Sequence, residues 1–334
     1  MKAGTEIDVA GRTLVVSNPE KLYFPAAGLT KIRLVEYYLG IGEALVRQML
    51  DRPVMLQRFP DGVAGTSFYQ KRIPDSAPSW LTTTEVRTVA GTRSQALVIA
   101  DLAHLIWAVN LGCIGFHSWP VRAPRVDVVD ELRVDLDPSP GCDLTMLRDA
   151  AAAVRSLLTE LDITGHLKTS GSRGLHIYIR LVPGYDSLTV RRAAVALARE
   201  LERRHPEILT AAWWKEERGR RIFVDYNQNA PHRTMFSPWS VRALDHAPVS
   251  LPIPWDLLHD VEPSGVTMTI APEFVARHGD AWSAIDDRAA DLDRLLALAE
   301  RDVERGLPDA PWPPEYPKMS GEAPRVAPSR ARRS

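Results

Sequence analysis

The sequence predicts a mixed α+β fold, with α/β as the neighbouring possibility, on three observations. Strand-like and helix-like segments alternate along most of the chain, which calls for a mixed sheet flanked by helices. The strand-like runs are short and bounded by Gly, Pro, Asn and Asp. Hydrophobic residues fill 45% of the 334 positions, enough for a substantial core without staples.

The elements come in order. Thr30 is a candidate N-cap for a helix carrying Ile32, Val35, Tyr38, Leu39 and Leu45 at helical spacing until Asp51-Arg52-Pro53 stops it. Strands are expected over 54–59 and 96–99. Asp101 caps a second helix with Leu102, Leu105, Ile106 and Val109, which Gly112 ends, and 115–119 reads as another strand. From Glu131 to Asp137 polar and apolar residues alternate, so Leu132, Val134 and Leu136 share one face and Arg133, Asp135 and Asp137 the other. A helix over 145–161, a strand, a Gly/Ser loop from Ser170 to Gly174, a strand over 175–181, a helix over 188–204 and a strand over 221–226 come next. Beyond Pro238 the chain is proline-rich, with a last helix over 281–305.

These elements suggest a body over 1–305, in two parts, 1–125 and 126–305. The tail, 306–334, holds seven prolines and ends in Arg330, Arg332 and Arg333; it is expected to be extended or disordered unless it docks on the body. Trp107, Trp213, Trp214, Trp239, Trp255 and Trp312 read as core or lid residues.

Composition narrows the function. Formal net charge is −1, so the overall field is not that of a strongly basic nucleic-acid binder, and any phosphate binding is local. The clusters Lys71-Arg72, Arg203-Arg204 and Arg218 to Arg221 read singly as solvated faces. Two cysteines, Cys113 and Cys142, make neither a disulfide framework nor a four-thiolate zinc site. With no signal sequence and no apolar stretch long enough to span a bilayer, a soluble cytoplasmic protein with no membrane partner is expected.

Three constellations can carry chemistry. Asp135 and Asp137 lie two apart on one strand, about 7 Å apart along the backbone, close enough to converge on hard cations. Two exposed strand-end carboxylates, or a sugar-nucleotide transferase pair, would look the same. Lys168-Thr-Ser-Gly-Ser-Arg-Gly-Leu-His176 frees the backbone to approach a ligand while Ser170, Ser172, Arg173 and His176 offer donors, as a triphosphate requires. It is neither a Walker A nor a dinucleotide fingerprint, and a plain hairpin turn is its alternative. Asp225 ends the apolar run Ile222-Phe-Val, where a carboxylate is costly unless coordinated or paired to an arginine. Together, three carboxylates on two strand ends around a donor loop are the parts for two-metal phosphoryl transfer.

With these motifs in place the sequence resembles the archaeo-eukaryotic primase superfamily, in particular the polymerase domain of bacterial ligase D and its stand-alone actinobacterial relatives. The residues that carry the resemblance are Asn18-Pro-Glu-Lys-Leu-Tyr-Phe-Pro25 with Lys31, Arg58-Phe-Pro-Asp-Gly62, Phe68-Tyr-Gln-Lys71, His117, Val134-Asp-Leu-Asp-Pro138, Thr169 to His176, Val224-Asp-Tyr-Asn-Gln-Asn229 and Ser237-Pro-Trp-Ser-Val-Arg242. Their order covers residues 15 to 300. The resemblance implies a primase-like polymerase fold, central sheets flanked by helices, in which Asp135, Asp137 and Asp225 bind two Mn²⁺ or Mg²⁺ ions. It implies nucleotide contacts at His117, Ser170, Ser172, Arg173, His176, Gln228 and Arg242, recognition of a DNA 5′-phosphate by Lys21 and Lys31, and template stacking by Phe68 or Tyr69. Arg173 stands where relatives often carry Lys, and Tyr226 where Trp is frequent.

The resemblance leads to the expectation of a monomeric DNA repair polymerase that fills short gaps or extends broken ends with NTPs or dNTPs, preferring ribonucleotides and Mn²⁺. It would associate with the nucleoid when DNA-bound and work with Ku and a ligase in trans. The alternatives are a catalytically silent end-binding module of a repair complex and a nucleotide-sugar transferase; the Asp225 segment and the Lys21/Lys31 pair argue against the latter. Without the resemblance, Lys21 and Lys31 read as surface lysines, Phe68 and Tyr69 as core or hairpin aromatics, and His117 as a packing residue.

Overall fold

The computed structural model describes residues 4–322, 324–327 and 329, so the arginines at 330, 332 and 333 lie outside the described residues. A hairpin of β1 (Thr5–Val9) and β2 (Arg12–Val16) opens the chain. β3 (Leu22–Phe24) then pairs with β4 (Leu29–Thr30). The helix expected from Thr30 to Asp51 forms as two, α1 (Lys31–Gly40) and α2 (Gly42–Met49), divided at Ile41. The glycines on either side of Ile41 are the reason: glycine is among the poorest helix formers and holds no side chain against the turn below.

A first sheet is built from β5 (Pro53–Arg58), β6 (Phe68–Gln70), β7 (Thr83–Arg87), β8 (Arg93–Val98) and, after α3 (Leu102–Asn110), β9 (Cys113–Ser118). Asp101 caps α3 as its sequence predicts, accepting from the His104 amide at 3.1 Å. The second sheet holds β10 (Val121–Arg122), β11 (Arg125–Pro138), then α4 (Leu144–Glu160), β12 (His166–Thr169), β13 (Leu175–Tyr185), α5 (Ser187–Arg204), β14 (Leu209–Thr210), α6 (Lys215–Arg218) and β15 (Ile222–Val224). Its order is β12-β13-β11-β15-β14, antiparallel except for β14 beside β15. β16 (Met235–Phe236) then returns to the first sheet, where it pairs with β9 at the edge. The chain ends with α7 (Ala271–His278) and α8 (Asp293–Glu304).

The last helix is shorter than its expected span of 281–305. Residues 281–292 bury Trp282 and Ile285 instead, and the Ala290 amide donates to the Arg180 carbonyl at 2.8 Å while its carbonyl accepts from Val182 at 3.0 Å along β13. Strand-edge hydrogen bonds and a buried indole outweigh local helix preference there.

The long strand β11 organises the second half. Leu132, Val134 and Leu136 join Leu175, Ile177 and Ile179 of β13 on one face. Against that face pack α4, through Leu147, Ala150, Ala151, Val154 and Leu158, and α5, through Val190, Ala194 and Leu197. Each large aliphatic side chain buried in this layer contributes about 1.5–3 kcal/mol.

The opposite face of β11 is also closed, and it is polar. Arg133 is fully buried, donating to the Ser118 carbonyl of β9 at 2.9 Å and to Glu131 at 2.6 Å. Arg52, also fully buried, pairs with both Asp130 and Glu131. Buried charges persist only when paired in this way.

The proline-rich tail packs against the body as far as Glu322. It is irregular, yet Ala310, Trp312 and Tyr316 are buried, and the Tyr316 hydroxyl donates to the Pro231 carbonyl at 2.6 Å. No helix among the described residues is long and apolar enough to cross a membrane.

Candidate metal and nucleotide site

The site begins with strand register. Asp135 of β11 pairs with His176 of β13, and His176 pairs with Lys168 of β12. On the other side Leu136 pairs with Val224, and the Asp225 amide donates to the Asp135 carbonyl at 2.9 Å. Residues opposite one another on antiparallel strands project to the same face. Asp225, Asp135, His176 and Lys168 therefore form one polar row across four strands. Asp137, two residues on, joins the same face at the strand end.

The three aspartates converge, with carboxylate oxygens that all lie within 4.8 Å of one another. Asp135 is buried, Asp225 half-buried and Asp137 exposed, so the cluster opens outward past Asp137. Burial first, then the charges of its neighbours Asp135 and Asp137, pushes the Asp225 carboxyl up to about 7. Burial raises Asp135 to about 6 against the fields of Lys168 and Arg242, and burial with Asp135 raises Asp137 to about 6 against Arg218, Arg173 and Lys215. Three hard oxygen donors that repel one another this strongly are suited to a divalent cation, which removes the cause of the repulsion.

Asp225 caps the 3₁₀ turn Tyr226–Asn229. Its Oδ1 accepts from the Asn227 amide at 2.9 Å and its Oδ2 from Gln228 Nε2 at 3.0 Å. Asn229 fixes the far end of that turn to β11, accepting from the Arg133 amide and donating to the Arg133 carbonyl, both at 2.8 Å. Gln228 thus lies on the carboxylate cluster itself.

The Gly/Ser loop is the hairpin between β12 and β13, so its hairpin geometry and its donor character coexist. Ser170 Oγ accepts from the amides of Ser172 at 3.1 Å and Gly174 at 3.0 Å, which makes Ser170 an organiser of the loop. Gly171 has φ +70°, open to glycine at little cost, and a Cβ at Gly174 would meet the Leu136 carbonyl oxygen at 2.5 Å. Arg242 pins the loop from outside, its Nε donating to the Ser170 carbonyl at 2.8 Å and its guanidinium stacked on Phe236 at 3.6 Å. Ser172 and Arg173 remain accessible.

Two histidines near the cluster offer buried ring nitrogens that have no partner among the described residues, Nε2 of His117 and Nδ1 of His176. Burial holds both rings neutral: His117 is lowered to about 3, and His176 well below its usual range. His176 Nε2 lies 3.3 Å from Asp135 Oδ1. His117 sits edge-on between the rings of Tyr69 and Phe236. Buried polar atoms without partners are rare, and a cluster of them beside a carboxylate site suits a polar ligand.

Of the remaining described residues singled out in the sequence, only Tyr69 touches this site, through His117. Phe68 and Tyr69 are exposed on β6, Phe68 under the Arg58 guanidinium at 5.1 Å. Lys21 is partly exposed and donates to the Pro60 carbonyl at 2.8 Å and to Asp61. Lys31, expected to meet a 5′-phosphate and a plain surface lysine only if the resemblance is set aside, is 3% exposed, its ammonium reaching the carbonyls of Ser17 at 2.8 Å and Asn110 at 2.7 Å and the side chains of both. Burial, and then the neighbouring charge of Lys21, lowers the Lys31 ammonium to about 8.

Two basic residues at the site were not singled out by sequence. Arg218, inside a cluster read as a solvated face, stacks on Phe223 at 3.6 Å, and its field favours the ionised form of Asp137. Lys168 is fully buried and bonded to Ser250 Oγ, with its charged form strongly disfavoured by burial. A signal for Lys168 was available: hairpin pairing places it opposite His176, and so in line with Asp135.

Known proteins are similar to this chain in sequence and in fold. The family model described as the primase-polymerase domain of LigD matches residues 30–282. The chain belongs to this family. It is 32% identical over 305 residues to the multifunctional non-homologous end joining protein LigD of Mycolicibacterium smegmatis, covering 91% of this chain and 40% of that protein. It is 31% identical over 294 residues to the LigD of Pseudomonas aeruginosa, covering 87% of this chain and 34% of that one. The chain thus spans about two fifths of the curated relatives it matches. The solved polymerase domain of Mycobacterium tuberculosis ligase D, determined in complex with DNA, superposes with a TM-score of 0.77 at 30% identity, covering 83% of this chain and 99% of that one. The primase-polymerase fold expected from sequence is the fold of this protein.

Proposed function

We propose that this chain, a DNA-directed nucleotidyltransferase by its family, extends the 3′-hydroxyl of DNA at short gaps or broken ends, as a repair polymerase of end joining. The observation that carries the reading is the convergence of Asp135, Asp137 and Asp225 within one cluster, on the same sheet face as His176 and beside the Gly/Ser loop. The relatives' names supply the end-joining context, and the DNA in the M. tuberculosis complex supports a DNA substrate.

In this reading the three carboxylates hold two divalent cations, Mn²⁺ or Mg²⁺. When bound, the cations neutralise charge on the triphosphate and favour ionisation of the primer hydroxyl. The chain's own groups do the positioning. Ser172 and Arg173 take the outer phosphates, with the loop held in place by Ser170 and Arg242. His176 and His117, kept neutral by burial, present ring nitrogens to the nucleotide, and Gln228 shares the pocket while orienting Asp225. Arg173, a planar fork in place of a lysine, grips a phosphate with two parallel donors.

Lys21 and Lys31, with Phe68 and Tyr69, form the proposed DNA-facing side. The partly exposed Lys21 ammonium is the one that can meet a 5′-phosphate, while Lys31, buried and bonded to Ser17 and Asn110, adds its charge from behind; the exposed ring faces of β6 suit stacking on a template base. Ribonucleotide preference, and Ku and a ligase as partners in trans, belong to the same proposal.

The test is extension of a primer with Mn²⁺ across nicked, short-gapped, overhanging and unprimed templates, with ribo- and deoxyribonucleotides side by side. Extension confined to primed gaps and overhangs, and lost in Asp137→Ala, is expected. Binding of DNA ends without any extension would leave the end-binding alternative. Equal affinity for gaps with and without a 5′-phosphate would remove the Lys21/Lys31 assignment.

A further inference from the structure

The tail beyond α8 reaches the turn that carries Asp225. Arg191 of α5 is 2% exposed, and its guanidinium is shared between that turn and the tail. Its Nε donates to Asn227 Oδ1 at 2.9 Å. Its terminal nitrogens go to the tail: to Asp309 Oδ1 at 3.1 Å, the Ala310 carbonyl at 2.9 Å and the Pro311 carbonyl at 3.3 Å. The Trp312 ring covers the guanidinium at 3.7 Å. Asn227 also donates to the Pro311 carbonyl at 3.1 Å, while its own amide holds Asp225 Oδ1 at 2.9 Å. A continuous chain of hydrogen bonds therefore runs from the tail through Arg191 and Asn227 to the Asp225 carboxylate.

The tail is built to hold that position. Trp312 Nε1 donates to Asp309 at 2.7 Å, fixing the ring over Arg191. Glu322 is buried, accepts from the Trp312 amide at 2.8 Å and the Met319 amide at 3.1 Å, and pairs with Arg325 at 2.6 Å, closing the segment into a hook. Without the hook, Arg191 would keep one partner of its set and lose the aromatic lid. A buried guanidinium short of acceptors holds Asn227 less firmly.

We propose that residues 309–322 are a brace that positions Asp225 for cation binding, with Trp312, Asp309 and Arg191 as positioning residues. The brace lies outside the stretch, residues 30–282, that matches the family model. The inference rests on Asp225 being a cation ligand. Groups that orient a ligand carboxylate typically alter metal affinity about 10- to 100-fold when removed.

The experiment uses the full chain and Mn²⁺ alone, with affinity read from the loss of the free-ion paramagnetic signal and exchange of the amides of residues 225–229 read by mass spectrometry. Trp312→Ala should weaken Mn²⁺ binding about tenfold or more and speed exchange at the turn, and Trp312→Phe, which keeps a ring over Arg191, should restore both. Asp309→Asn, a milder change that serves if Trp312→Ala does not fold, should move both in the same direction. Wild-type Mn²⁺ affinity in Trp312→Ala or in Asp309→Asn overturns the brace. Asp225→Ala separates the two ideas: Mn²⁺ affinity unchanged by that substitution removes the metal assignment, whatever the tail variants do.

Discussion

Asp225, one residue past β15, meets Asp135 of the neighbouring antiparallel β11, its amide donating to the Asp135 carbonyl at 2.9 Å, so the sheet itself forces two carboxylates together. Such an arrangement costs stability unless a cation is present. Asp225→Asn should therefore raise the melting temperature of the metal-free protein while lowering primer extension by about 10³-fold, several kcal/mol of charge stabilisation being lost. Calorimetry in chelator and single-nucleotide extension in Mn²⁺ check the two halves.

The same cause sets a pH dependence. The Asp135, Asp137 and Asp225 carboxyls are raised above their unfolded values, to about 6, 6 and 7. A raised acid contributes stability that is complete at low pH and lost as pH rises through its folded value. The metal-free protein should thus lose this contribution from about pH 4, the unfolded carboxylate value, to about pH 7, the highest folded one, and saturating Mn²⁺ should abolish or reverse the trend. Melting temperature measured across that range, with chelator and then with Mn²⁺, checks it; a flat profile in chelator would contradict the burial of the cluster.

Lys21 and Lys31 should respond differently to removal. The Lys31 ammonium fills a pocket of oxygens from Ser17 and Asn110, so Lys31→Ala should cost about 1–3 kcal/mol of stability from the stranded acceptors. Lys21→Ala should leave the urea midpoint near wild type and reduce affinity for gapped DNA only when the 5′-phosphate is present. Urea melts beside binding assays on the two DNA forms separate the roles.

Gly171 tests the loop. Its φ of +70° strains any side chain, and a Cβ there would lie 2.9 Å from Arg242 Cγ and 3.0 Å from the Ser250 amide nitrogen. Gly171→Ala should cost about 1–2 kcal/mol for the left-handed backbone alone. It should raise the nucleotide KM more than it lowers kcat for a bound nucleotide, since it displaces Ser172 and Arg173 without touching the carboxylates. Steady-state kinetics of single-nucleotide addition give the split.

The range of the forces involved explains which features were legible in the sequence. Alternation over Glu131 to Asp137, the cap at Asp101 and the spans of α4 and α5 are local, set by the period of two or 3.6 residues and by nearest-neighbour capping, so they could be read directly. The division of the first helix is also local, set by the glycines at 40 and 42. The shortening of the last helix is not, because it depends on Trp282 finding a buried place and on the exposed edge of β13.

The site divides in the same way. Residue types and spacing alone marked Asp135, Asp137, Asp225 and the Gly/Ser loop. Only the tertiary structure decided that Asp225 lies opposite Asp135, that Lys31 is buried, that Arg218 faces the carboxylates, and that the tail grips Arg191. Most of these join residues far apart in the chain, Lys31 with Ser17 and Arg218 with Asp225 being the nearer pairs, and no local pattern reports such a meeting. Sequence determined which groups could do the chemistry. Strand register and burial, which exist only once the chain has folded, determined which of them meet and what charge they carry when they do.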